Sequence, residues 1–241
     1  MSDLVFFKDD IPFDAFGQTH LITLLISLSL LIALLLVGRR LGREQNLIIG
    51  RFIALILILT MAIYIALNIG FSRFDLTEDL PLYPCNLFAI LAPWLFWNPN
   101  RKLFEIAYFV IMAGTLQAVI TPDLYVGFPT YGFFKYWIIH VGLVLLVIHY
   151  MVNLQLYPTF RGIFTTFVWL NIYALAIMPI NLLLDANYFY LMEKPAGASI
   201  LDFFGPWPLY ILVTELLAMG LFAITYMPVL VVKRLKNHRQ I

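Results

Sequence analysis

The stretch HLITLLISLSLLIALLLVGRR, His20–Arg40, holds no formally charged side chain until it reaches Arg39 and Arg40. At ~1.5 Å of rise per helical residue, His20–Val37 reaches across most of a bilayer hydrocarbon core of ~30 Å. A backbone in that medium must satisfy its own N–H and C=O groups, which makes the segment a helix rather than a lone strand. The residues before it are acidic and polar rather than basic, and no small-residue cleavage site follows. The expectation is therefore a retained anchor rather than a cleaved signal.

Six further apolar runs of spanning length follow, at Leu47–Phe71, Leu80–Trp97, Leu103–Thr121, Phe133–Tyr150, Ile163–Leu183 and Trp207–Val232. The third is interrupted by Pro81, Pro84 and Pro93 and is the least regular; a kinked or partly re-entrant segment is its alternative form. The composition agrees, with 62% apolar and 12% charged residues against roughly 45–50% and about 25% in soluble domains. No polar linker divides the chain, so residues 1–241 read as one membrane domain. The expected fold class is all-α, a polytopic bundle of seven transmembrane helices.

Charge sets the orientation. One set of alternate connections carries Arg39, Arg40, Arg43, Arg51, Arg101, Lys102, Arg161, Lys233, Arg234, Lys236 and Arg239. The other carries only Lys8, Arg73, Lys135 and Lys194 among cations, with most of the acids, including Asp3, Asp9, Asp10, Asp14, Asp75, Glu78 and Asp79. Cytoplasmic loops are the basic ones, so the N-terminus is expected outside and the C-terminus in the cytoplasm, in a cell membrane of bacterial plasma-membrane type. An odd number of spans also follows, because an even number would bring the acidic and basic ends to one side.

The near-neutral formal charge of +1 leaves no basic surface for nucleic acid. The single cysteine, Cys85, excludes an internal disulfide, and the four histidines show no i, i+4 pair or HExxH spacing. Neither a metal nor a cofactor is expected.

Polar groups inside spans are costly and call for a partner, a wet cavity or a function. Counted from the span starts, His140 lies about 10 Å below the outer interface, Glu215 about 12 Å and Cys85 about 8 Å, so the three could meet. Gln117 and Asn181 fall near the outer ends of their spans, His20 begins the first, and Asn171 is mid-span. Each also has a plain structural use. A buried cysteine commonly serves as a small hydrophobe, and a span histidine or asparagine commonly bonds across helices. Against this, the irregular approach Leu80-Pro81-Leu82-Tyr83-Pro84-Cys85-Asn86 offers unpaired N–H groups and a helix start beside a thiol. His140 is the depth-matched base, with His20 the weaker alternative; His149 reads as structural. Asn187 and Tyr188, in the long outer loop, either line a lid or cap local structure.

As a set, Leu80-Pro81-Leu82-x-x-Cys85, Gly114-Thr115-Leu116-Gln117-Ala118 with Thr121-Pro122-Asp123-Leu124, the lone His140, Asn187-Tyr188, Lys194-Pro195 and Gly205-Pro206-Trp207-Pro208 resemble the YwaF-like family of bacterial integral membrane proteins. That family includes the transmembrane protein 164 acyltransferases. The resemblance implies a Cys/His membrane acyltransferase in which Cys85 matches the nucleophile and His140 the catalytic histidine. Many bacterial relatives carry a histidine two residues before the cysteine, where this chain has Tyr83. The expected chemistry is transfer of an acyl chain from a phospholipid to a lysolipid, with Glu215 or Gln117 orienting the imidazole, backbone N–H groups near Cys85 or the Asn86 amide stabilising the oxyanion, and Asn181, Asn187 and Tyr188 in support. A lipid ester hydrolase of the same fold, or a transporter or channel for a small polar solute lined by the same residues, are the alternatives.

Overall fold

The computed structural model describes residues 11–195 and 199–237. Asp3, Lys8, Asp9, Asp10 and Arg239 of the charge pattern lie outside the described residues. Seven helices follow one another: α1 Gln18–Gly38, α2 Arg43–Gly70, α3 Pro84–Trp97, α4 Arg101–Ile120, α5 Tyr131–Asn153, α6 Phe160–Leu184 and α7 Leu209–Asn237. Apart from one antiparallel bridge, Pro12 to Val126, no β structure occurs among the described residues.

Six of the seven, all but α3, are long and apolar enough to cross a membrane. Their outward residues, such as Leu25, Phe52, Leu175 and Leu216, are large, apolar and exposed, which suits a lipid solvent. The third expected span is shorter than its apolar run. Pro81 and Pro84 hold Leu80–Tyr83 out of the helix, and α3 starts with Pro84 at its first position. Its 14 residues extend about 21 Å, short of the ~30 Å core. The last span also starts later than expected, at Leu209 rather than Trp207.

A helix leaves its last carbonyls without intrahelical partners. Side chains satisfy those of α3. Tyr150 donates to the Phe96 carbonyl at 2.5 Å, and Arg51 donates to the Trp97 carbonyl through Nε and Nη2 at 3.2 and 3.1 Å while lying over the Trp97 ring. At the other end Tyr173 donates to the Leu82 carbonyl at 2.6 Å. The reach of Tyr150 depends on Gly50, where a Cβ would overlap the tyrosine ring.

Helix α5 is the hub, packed against α1, α2, α3 and α4, with Leu143, Leu146, Val147 and Tyr150 fully enclosed. α6 and α7 attach on the α4 side. Buried Glu105 ties α4 to α6: its carboxylate accepts from the Thr159 N–H that opens α6 and pairs with Arg101 at 3.4 Å. At the far end of α5, His149 donates from Nε2 to the Asn46 carbonyl and accepts from Asn153 at Nδ1. Both ring nitrogens are occupied, in keeping with its structural assignment.

Candidate functional site

The polar groups of interest collect at the end of the bundle where α3 and α5 begin. Cys85 is the second residue of α3. Pro84 has no N–H, Tyr83 provides no side-chain cap, and the first helical bond runs from the Leu87 N–H to the Tyr83 carbonyl at 3.0 Å. The amides of Cys85 and Asn86 are thus left without a helical acceptor, as the first turn of a helix requires. The thiol itself is half-buried and lies beside its own amide.

The partner of the Cys85 sulfur is Thr115, whose hydroxyl stands 3.3 Å from Sγ. Thr115 is buried and ends a π turn, Ile111–Thr115, set into α4. Such a turn inserts one residue and re-aims the side chains around it, and it is frequent at functional sites. The hydroxyl can accept from the thiol or donate to a thiolate. Thr115→Val keeps the shape and removes that donor; it is expected to slow alkylation of Cys85 by a thiol reagent roughly fivefold, equivalent to about 1 kcal/mol. Thr115→Ser should restore the rate.

His140 sits on α5 with its ring stacked on Tyr136, centroids 4.0 Å apart, and its Nδ1 2.7 Å from the Tyr136 carbonyl. A carbonyl only accepts, so Nδ1 carries the proton and Nε2 is the basic nitrogen. Tyr136 is anchored in turn, donating to the Ala118 carbonyl at 2.8 Å just beyond the π turn. Cys85 and His140 therefore stand on packed helices, α3 and α5, with no hydrogen bond joining them. Between them in charge terms is Lys135, within electrostatic range of Cys85, His140 and Asp79.

The other expected residues divide. The imidazole is oriented by a backbone carbonyl, not by Gln117, which is exposed, nor by Glu215, which makes no hydrogen bond among the described residues. Asn86 flanks Cys85 with its side chain half-buried. His20, the weaker candidate base, has both nitrogens in use: Nδ1 accepts from the Phe16 N–H at 3.0 Å and Nε2 donates to the Val119 carbonyl at 3.2 Å.

Asn181, Asn187 and Tyr188 build a cap. Asn181 exchanges two bonds with the Tyr188 backbone, at 2.9 and 2.8 Å, and the Asn187 amide closes its own loop through Met192 and Glu193. The Tyr188 hydroxyl donates to the Leu76 carbonyl and accepts from the Leu80 N–H, so the 185–193 loop is fastened to the approach to α3. Tyr83 packs edge-on against the Tyr188 ring and tilted against that of Tyr190. Tyr190 donates to Asp123; burial, followed by that carboxylate, pushes its phenol up and keeps it a neutral donor.

Thr115, Tyr136 and Lys135 were not among the residues singled out for the site from sequence. The only signals available were Thr115's place within Gly114–Ala118, Tyr136 one helical turn before His140, and Lys135 as a solitary cation at a span start.

No curated protein and no solved structure shows a significant match to the chain. The model of the TMEM164 family matches residues 15–226, which include all seven helix starts, Cys85, Thr115 and His140. The chain is thus a multi-pass membrane protein that belongs to the TMEM164 family.

Proposed function

We propose that this protein is a membrane acyltransferase using Cys85 as nucleophile and His140 as base on the acyl esters of phospholipids. The observation that carries this is the fixed tautomer of His140, whose Nδ1 is bound to the Tyr136 carbonyl. The basic Nε2 is thereby kept at the end of the bundle where Cys85 opens a helix. Membership of the TMEM164 family supports it.

In the first half-reaction His140 Nε2 takes the Sγ proton and the sulfur attacks the ester carbonyl carbon. The Cys85 and Asn86 amides, which have no helical acceptor, are the donors available for the oxyanion, and the Thr115 hydroxyl steadies the sulfur. Collapse expels the glycerol oxygen, which receives the proton from His140 and leaves as lysolipid, with the acyl chain on Cys85. In the second half-reaction His140 deprotonates the hydroxyl of another lysolipid, which takes the acyl chain and restores the thiol.

The same proposal places the protein in a cell membrane as one domain of seven crossings, with α3 and its approach Leu80–Tyr83 together making the third. The N-terminus is outside, following the cation pattern.

The test is purified protein in liposomes with phospholipid carrying a labelled acyl chain, quenched in acid. Wild type should carry hydroxylamine-labile label and pass it to added lysolipid, and Cys85→Ala should carry none. Label or transfer at the wild-type rate in Cys85→Ala would sink the assignment.

A further inference from the structure

Lys135 is an ammonium in an unusual position. It is the fifth residue of α5 and half-buried, and side chains of a helix tilt back toward its N-terminus. Its charge therefore lies near the end of the helix where the macrodipole is already positive, an arrangement that favours an anion and disfavours a lone cation. An ion pair would be the usual structural remedy, but none is present among the described residues. Asp79 is the acid within range, yet its two oxygens are engaged elsewhere: Oδ1 accepts from Tyr64 at 2.5 Å and Oδ2 from the Asp75 N–H at 2.9 Å.

The ammonium lies over the face of the Tyr64 ring, 4.5 Å from the centroid, and donates no hydrogen bond to the described residues. That ring is stacked at 11° on Tyr131, whose hydroxyl is fastened to the Thr60 carbonyl, so the platform is rigid. A ring face attracts the cation but takes none of its N–H bonds. Three donors thus stand ready for oxygen atoms that none of the described residues provides.

Position along α5 says which anion fits. Lys135 precedes His140 by five residues, about 7.5 Å nearer the helix start. In a glycerophospholipid the phosphate lies toward water and the ester carbonyls a few bonds deeper. The order along α5, cation first and then His140, matches the order along the lipid.

We propose that Lys135 binds the phosphate of the glycerophospholipid whose ester is presented to Cys85; this rests on the acyl-transfer assignment for the same end of the bundle. Lysine is a compact point charge without the two-pronged geometry of arginine, so it reads the phosphate and not its orientation or its alcohol. The substrate class that follows is glycerophospholipids of any headgroup, with neutral diacylglycerol disfavoured.

The experiment separates binding from turnover by using Cys85→Ala as the background. Lipid retained by the purified protein is measured by native mass spectrometry with phosphatidylglycerol, phosphatidylethanolamine and diacylglycerol, and inorganic phosphate is added as competitor. Both phospholipids should be retained at least about tenfold better than diacylglycerol. Adding Lys135→Met should erase that preference and adding Lys135→Arg should keep most of it, with millimolar phosphate displacing little lipid. A preference that survives Lys135→Met would overturn the proposal. So would phosphate binding at Lys135 without any preference for phospholipid, since the site would then take the free ion. A lysine-dependent preference in a protein that never acylates Cys85 would count against acyl transfer alone, and acylation of Cys85 with no headgroup dependence would count against Lys135 alone.

Discussion

His140→Asn should slow acylation of Cys85 by roughly 10²–10⁴-fold, the usual contribution of a positioned acid–base group. Asparagine is the informative replacement because its Nδ2 amide stands where Nδ1 does and can still donate to the Tyr136 carbonyl, as Nδ1 does at 2.7 Å in the native protein. The bond to the Tyr136 carbonyl is kept while the ring and its basic nitrogen are lost. The measurement is the rate of thioester formation in a single turnover, accompanied by a thermal unfolding curve in detergent. Native stability with a lost burst would assign His140 a chemical role, and an unchanged burst would remove the imidazole from the mechanism.

The second large effect concerns the cap. Tyr188 is fully buried, and its hydroxyl holds the Leu76 carbonyl at 2.8 Å and the Leu80 N–H at 3.0 Å. Tyr188→Ala should cost about 3–5 kcal/mol of stability, the range for truncating an enclosed aromatic. Tyr188→Phe keeps the ring and strands two backbone groups, at about 1–3 kcal/mol. Because those groups lie just before α3, both variants should also raise the rate at which a water-soluble maleimide reaches Cys85. If Tyr188→Phe unfolded at the wild-type temperature and left Cys85 equally shielded, the loop would be ornamental to the thiol.

How much of this could be read in advance depended on whether a feature has a side-chain signature. The six long helices announce themselves as uninterrupted apolar runs, since lipid makes no demand beyond length and low polarity. The start of α3 was ambiguous because proline suits a loop and the first turn of a helix alike, and the chain took the loop up to Tyr83. The orienting group of His140 was invisible for another reason: it is a backbone carbonyl, which every residue carries. Gln117 and Glu215 were expected there because only side chains can be read from a sequence. Thr115 was hidden by the π turn, since a 3.6-residue periodicity cannot forecast which way a residue faces after an inserted position. Cys85 and His140 stood out through rarity and depth, and their roles came from resemblance rather than from spacing.

The side-chain fastenings of α3 bear on how the protein meets its solvent. A helix whose ends answer to the bilayer must tilt or stretch its surroundings when hydrocarbon thickness changes. α3 answers instead to Arg51, Tyr150 and Tyr173, which belong to α2, α5 and α6. A thicker or thinner membrane therefore acts on the long helices, while Cys85 rides with its neighbours at a constant height relative to His140.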